Sequence, residues 1–141
     1  MNFQINEEEN FRFIDQGKHG ETIVLLHGLF GALSNWEEVI NRFSQNYRVI
    51  IPILPILEMP LREAGCVGLT DFLESFVDYL KLDKFSLIGN SLGGHIALIY
   101  TLRHEHKVER LILTGSSGLF ENQMGGSYPR RGNYDFIKER V

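Results

Sequence analysis

Short apolar runs separated by amphipathic stretches organise this chain. Thr22-Ile23-Val24-Leu25-Leu26 is continuous and rich in β-branched residues, the pattern of a strand covered on both faces. Tyr47 to Ile51, Phe85 to Ile88 and Arg110 to Thr114 repeat it, and Pro52 closes the first of these. Between them lie helical periods. Trp36, Val39, Ile40 and Phe43 predict a helix over about 35–43, with Ser34 and Glu37 at capping-box spacing. Phe72, Leu73, Phe76, Val77 and Leu80 predict a second, which Thr70 can cap. A third runs from Leu92 to about His104. It is apolar nearly all round through Ile96, Ala97, Leu98, Ile99 and Leu102, and is therefore expected to be buried. Ahead of all these, Phe3 to Ile5 and Phe11 to Ile14 read as short strands around a polar turn.

Alternating strand and helix implies an α/β fold, a mostly parallel sheet with flanking helices joined by right-handed crossovers. Ile53 to Val67 is irregular and holds Pro55 and Pro60. After Gly115 the character changes to a Gly-, Ser- and Asn-rich stretch through Asn133, and Asp135 to Val141 opens a helical pattern and stops. The sheet reads as cut short before its last strands.

Composition narrows the class. Hydrophobic residues make up 43% and charged residues 23% of the 141 residues, ordinary for one globular domain. A net charge of −4 argues against a nucleic-acid partner, which needs clustered Lys and Arg. No membrane span is expected, since Ile50 to Leu57 is short and broken by Pro52 and Pro55. The polar, acidic N-terminus lacks the pattern of a secretory signal. Cys66, the sole cysteine, precludes an internal disulfide and fits a reducing compartment, so a cytoplasmic location is the expectation. It has no histidine nearby in sequence and reads as a small apolar loop residue. No grouping has zinc-ligand spacing, and no metal or cofactor is expected.

Gly89-Asn90-Ser91-Leu92-Gly93 matches G-x-S-x-G, between a predicted strand and a predicted helix. The spacing has a steric reason. A strand that reverses into a helix within a few residues strains the serine backbone, and the flanking glycines lie where a Cβ would clash. The serine oxygen then stands above the sheet edge, with the Leu92 N–H aimed at the same spot from the positive end of the helix. The pentapeptide alone is a loose pattern. Ser91 could instead simply cap the helix, and a dinucleotide loop would need glycine where Ser91 stands.

With His27-Gly28-Leu29-Phe30-Gly31 after the first long strand and Gly89 to Gly94 after the third, the chain from about Phe11 to Gly118 resembles the α/β-hydrolase fold family. The resemblance implies Ser91 as nucleophile and the N–H groups of Leu92 and Leu29 as oxyanion donors, with Phe30 the alternative to Leu29. Such donors supply roughly 3–4 kcal/mol each in other hydrolases. It implies that His27 and Gly28 shape their turn as Gly89 and Gly93 shape the other. It divides the chain into residues 1–118, the first part of the hydrolase core, and 119–141, the start of a lid. Ile53-Leu54-Pro55-Ile56 departs from the family's Asp-Leu-Pro-Gly stretch.

The family order is nucleophile, acid, histidine. After Ser91 come His95, His104 and His106, while Asp135 is the only later Asp and no histidine follows it. The acid and histidine are therefore expected beyond residue 141, and the chain by itself is expected to be inactive. His95 lies four residues from Ser91 but is read as a structural histidine. Three functions stay open: a serine hydrolase acting on a small-molecule ester, thioester or related acyl bond; a C–C bond hydrolase or lyase on the same fold; and a non-catalytic fragment or pseudoenzyme.

Overall fold

A computed structural model of the chain describes residues 3–29, 33–60 and 65–117. Phe30 and the expected lid at 119–141 lie outside them, as does the Ser34 side chain on which a capping box depends. The strands are β1 (Asn6–Glu8), β2 (Phe11–Gln16), β3 (Thr22–Leu26), β4 (Arg48–Pro52), β5 (Phe85–Asn90) and β6 (Val108–Thr114). They form one six-stranded sheet in the order β1-β2-β4-β3-β5-β6. The segment β4-β3-β5-β6 is parallel, and β2 and β1 extend it antiparallel. The mostly parallel sheet is as the apolar runs imply.

The strand expected over 3–5 sits instead at Asn6–Glu8. Its register is set by pairing, Asn6 with Phe13 and Glu8 with Phe11, around a turn in which Glu9 takes φ 51°. Phe3 is partly buried and packs against the core.

Helix α1 (Glu37–Phe43) follows a 3-10 turn at Leu33–Trp36, so the regular helix begins two residues later than its periodicity suggests. Helix α2 (Cys66–Tyr79) begins four residues before Thr70. Gly65 enters it in extended conformation without a side-chain cap. Thr70 is fully buried inside the helix, and its hydroxyl donates to the Cys66 carbonyl at 2.7 Å, the back-bonding that competes with a capping role. The helix ends on a Schellman pair, Leu82 N–H to Val77 O at 3.0 Å and Lys81 N–H to Asp78 O at 3.0 Å, with Lys81 at φ 52° where glycine is usual.

Helix α3 (Leu92–Arg103) buries Gly93, Gly94, Ile96, Ala97 and Tyr100, but Leu102 is 68% exposed. Burial on all sides, as its composition suggested, does not hold: the sheet and α2 cover one side only.

Alternation sorts the core into two layers. Val24, Leu26, Ile50 and Leu87 face α2 and α3, where Leu73, Phe76, Ile96 and Ala97 meet them. Ile23, Leu25, Val49 and Ile51 face the other way, towards Ile40 of α1. Both faces of β3 and β4 are thus covered, which is why neither alternates with polar residues. Each such fully buried aliphatic side chain contributes roughly 1.5–3 kcal/mol.

Charge ties the end of α3 to the middle of α2. Arg103 donates to Asp71 at 2.7 Å and to Glu74 at 3.0 Å, and His104 Nε2 lies 2.9 Å from the same Glu74 oxygen. Burial pushes the Glu74 carboxyl up, but the hydrogen bonds from Arg103 and His104 outweigh it, and its pKa is lowered overall. A lowered carboxylate stabilises the fold above its unfolded value near 4.5 and loses that contribution as pH falls through the lower folded value. Between pH 5 and 3 the thermal midpoint should therefore fall more steeply in the parent than in Glu74→Gln. Solvent screening keeps the difference under about 1 kcal/mol.

Candidate active site

Leu26 of β3 stands opposite Gly89 of β5, so His27-Gly28 and Asn90-Ser91 leave the sheet side by side. From there the chain diverges. β3 leads to α1 on one face of the sheet, and β5 leads to α3 on the other. Such a divergence at the carboxyl ends of parallel strands opens a crevice where ligands bind in α/β folds.

Ser91 sits at the divergence with φ 52° and ψ −116°, between the last residue of β5 and the first of α3. It is exposed, and among the described residues its hydroxyl makes no capping bond to α3. A simple helix cap is therefore not what the turn builds. A side chain in this backbone region costs about 1–3 kcal/mol and persists only where neighbours hold it. Here Ser91 N–H donates to Thr114 O at 3.1 Å, and Ser91 O accepts from Gly94, His95 and Ser117 N–H at 3.1, 3.2 and 3.1 Å.

The glycines around it are fixed by close backbone approach. A Cβ on Gly93 would overlap the Leu26 carbonyl oxygen and lie 2.6 Å from that of His27. One on Gly89 would overlap the Gly93 carbonyl oxygen and lie 2.6 Å from Gly94 Cα. Gly28 is nearest Ser91 itself, its absent Cβ 3.2 Å from Ser91 Cβ.

His27 is buried and holds the other turn. Its Nε2 accepts the Leu54 N–H at 3.1 Å, which leaves the proton on Nδ1 to donate to Gly28 O at 2.9 Å. It fastens the β3 turn to the segment after β4 and is not free to act as a base. Leu29, beyond it, is 49% exposed. The helical bonds of α3 reach the Ser91 carbonyl from Gly94 and His95, so the Leu92 N–H belongs to the first turn, which has no intrahelical acceptor. A hydroxyl raised beside such amides can attack a carbonyl carbon once a base takes its proton, and the amides can hold the oxyanion that forms.

Among the described residues the His95 ring makes no hydrogen bond to the Ser91 hydroxyl. Its Nδ1 lies 3.4 Å from Cys66 Sγ at the start of α2. Cys66 therefore does have a histidine partner, which a separation of 29 positions hides from local reading. His104 meets Glu74, and His106 and His19 are exposed. An open polar hollow of about 630 Å³, lined by residues that include Asp15, Lys18 and Arg48, lies at the far end of β2 and β4. Asp15 and Arg48 pair within it at 2.7 Å, and the bond to Asp15 raises the Arg48 pKa despite burial. Among the described residues no group of three or more His, Cys, Asp or Glu side chains gathers as a metal site. No described helix is long and apolar enough to cross a membrane.

A parallel sheet with a strained serine between strand and helix, beside a His-Gly turn, defines a class of α/β proteins, and comparison with known proteins gives the family. The chain belongs to the α/β hydrolase fold family, whose model matches residues 21–140. It is 35% identical over 107 residues to 2-hydroxy-6-oxo-2,4-heptadienoate hydrolase of Pseudomonas putida, covering 71% of this chain and 39% of that protein. It is 33% identical over 127 residues to 2-hydroxy-6-oxo-6-phenylhexa-2,4-dienoate hydrolase of Burkholderia cepacia, covering 82% and 44%. Among solved structures, an α/β hydrolase from the metagenome of Mar Chica lagoon sediments superposes with a TM-score of 0.78 at 41% identity, over 84% of this chain and 54% of that one. The chain spans about 40% of the length of the curated relatives it matches.

Proposed function

We propose that the protein built on this chain is a serine-dependent hydrolase in which Ser91 attacks a carbonyl carbon. The observation that carries this reading is the exposed, uncapped Ser91 at φ 52°, set against Gly28 and the first turn of α3. The Leu92 and Leu29 amides hold the oxyanion. A histidine supplied beyond residue 141, oriented by an acid, takes the serine proton and returns it to the leaving group; water, deprotonated by the same histidine, then attacks the acyl enzyme, breaks the acyl–Ser91 bond and restores the serine hydroxyl. The turn of His95 towards Cys66 supports assigning the base elsewhere, and residues 1–141 alone should turn over little substrate.

Two carbonyl substrates fit. One is a small ester or thioester. The other is a ketone whose leaving group departs as a stabilised carbanion, and the names of the relatives favour it, since several are hydrolases of 2-hydroxy-6-oxo dienoates. The test is the longest natural reading frame containing this chain, assayed on p-nitrophenyl butyrate and on 2-hydroxy-6-oxohepta-2,4-dienoate. Turnover of either supports the hydrolase, and the larger kcat/KM assigns the bond. Turnover of neither, nor of a wider panel of esters and thioesters, favours a non-catalytic module.

A further inference from the structure

We propose that Asn90 is a positioning residue for Ser91: its side-chain amide ties the turn to the end of β6, and the strap Thr114–Ser117 holds the strained backbone on which the hydroxyl stands. The role rests on reading Ser91 as the nucleophile.

Asn90 is exposed, so no packing demand explains an asparagine there. Its Nδ2 donates to Thr114 O at 3.0 Å and to Thr114 Oγ1 at 3.1 Å. The same Thr114 carbonyl accepts the Ser91 N–H at 3.1 Å. One carbonyl therefore gathers a side-chain and a main-chain donor from consecutive residues of the turn. Gly115, at φ 56°, then bends the chain back, and Ser117 N–H donates to Ser91 O at 3.1 Å. Ser116 lies against α3, its Cβ 2.7 Å from where a Gly94 side chain would begin.

The strap thus grips the peptide planes on both sides of Ser91. Rotating φ or ψ back to a common region swings one of those planes and breaks one of the two bonds. Asn90 keeps the Thr114 carbonyl aimed at the turn. An aspartate of the same size would turn a carboxylate oxygen to that carbonyl oxygen, and an apolar residue would offer no donor.

The test compares the parent, Asn90→Ala, Asn90→Asp and Ser91→Ala in the longest natural reading frame containing this chain. Misplaced reacting groups lose roughly tenfold to a hundredfold in rate. Both Asn90 variants should fall in kcat by that factor, with KM within about twofold, the sign of an interaction that serves the transition state rather than binding. The Ser91 amide resonance of ¹⁵N-labelled protein should split or broaden in both variants while the thermal midpoint stays near that of the parent. Both variants retaining parental kcat and a single unshifted Ser91 resonance would overturn the role. If Ser91→Ala leaves turnover intact, the nucleophile reading fails separately. The resonance then decides: splitting upholds the clamp, and an unchanged peak ends it.

Discussion

Ser91→Ala should lower the turnover of the full protein by about ten-thousandfold or more, measured as kcat/KM on its best substrate, without lowering its thermal midpoint. The size follows from the proposed role of Ser91 as the group that forms the covalent bond, since the effects of such a group and its partners do not add. The unchanged stability follows from the site. The hydroxyl is exposed and makes no capping bond, so its removal empties no packed space. Alanine also keeps the Cβ and with it the cost of φ 52°. Ser91→Gly relieves that cost and should be equally inactive but more stable by about 1 kcal/mol. Inactivity joined to a gain in stability is the signature of a residue kept for chemistry at the expense of the fold.

Gly93→Ala should produce the largest loss of stability of any single-methyl change in the turn, about 3 kcal/mol or more. The added Cβ would overlap the Leu26 carbonyl oxygen and lie 2.6 Å from both the Leu26 carbonyl carbon and the His27 carbonyl oxygen. All three are backbone atoms of β3 and the turn after it, and no rotamer change can move them. Only displacement of α3 from the sheet makes room, and that opens the layer where Ile96 and Ala97 meet Leu26 and Leu87. At roughly 3 °C per kcal/mol for a domain of this size, differential scanning calorimetry should record a fall of about 10 °C.

What could be read from the sequence depended on how local its cause is. The apolar run of β3 was legible because covering both faces of a strand removes all alternation. The G-x-S-x-G turn was legible because the demand for Gly89 and Gly93 arises within a few residues of Ser91 and from one neighbouring strand. β1 was misplaced because a polar edge strand, Asn6-Glu7-Glu8, takes its register from β2 rather than from apolar content. The start of α2 was misplaced because its entry at Gly65 carries no side-chain cap, while Thr70, the apparent cap, bonds inside the helix. Leu102 shows the limit of composition, since an apolar helix over one face of a sheet still has an outer side. The contacts Cys66–His95, Glu74–His104 and Asn90–Thr114 join positions at least 24 apart and appear only once α2, α3 and β6 are assembled.

The most direct measurement is covalent capture of the nucleophile. The longest natural reading frame containing this chain is treated with diisopropyl fluorophosphate, digested and mapped by mass spectrometry. One diisopropylphosphoryl group on Ser91, appearing in step with loss of turnover, is the predicted result. Loss of turnover with the adduct on a different residue, or undiminished turnover with Ser91 fully modified, would contradict it.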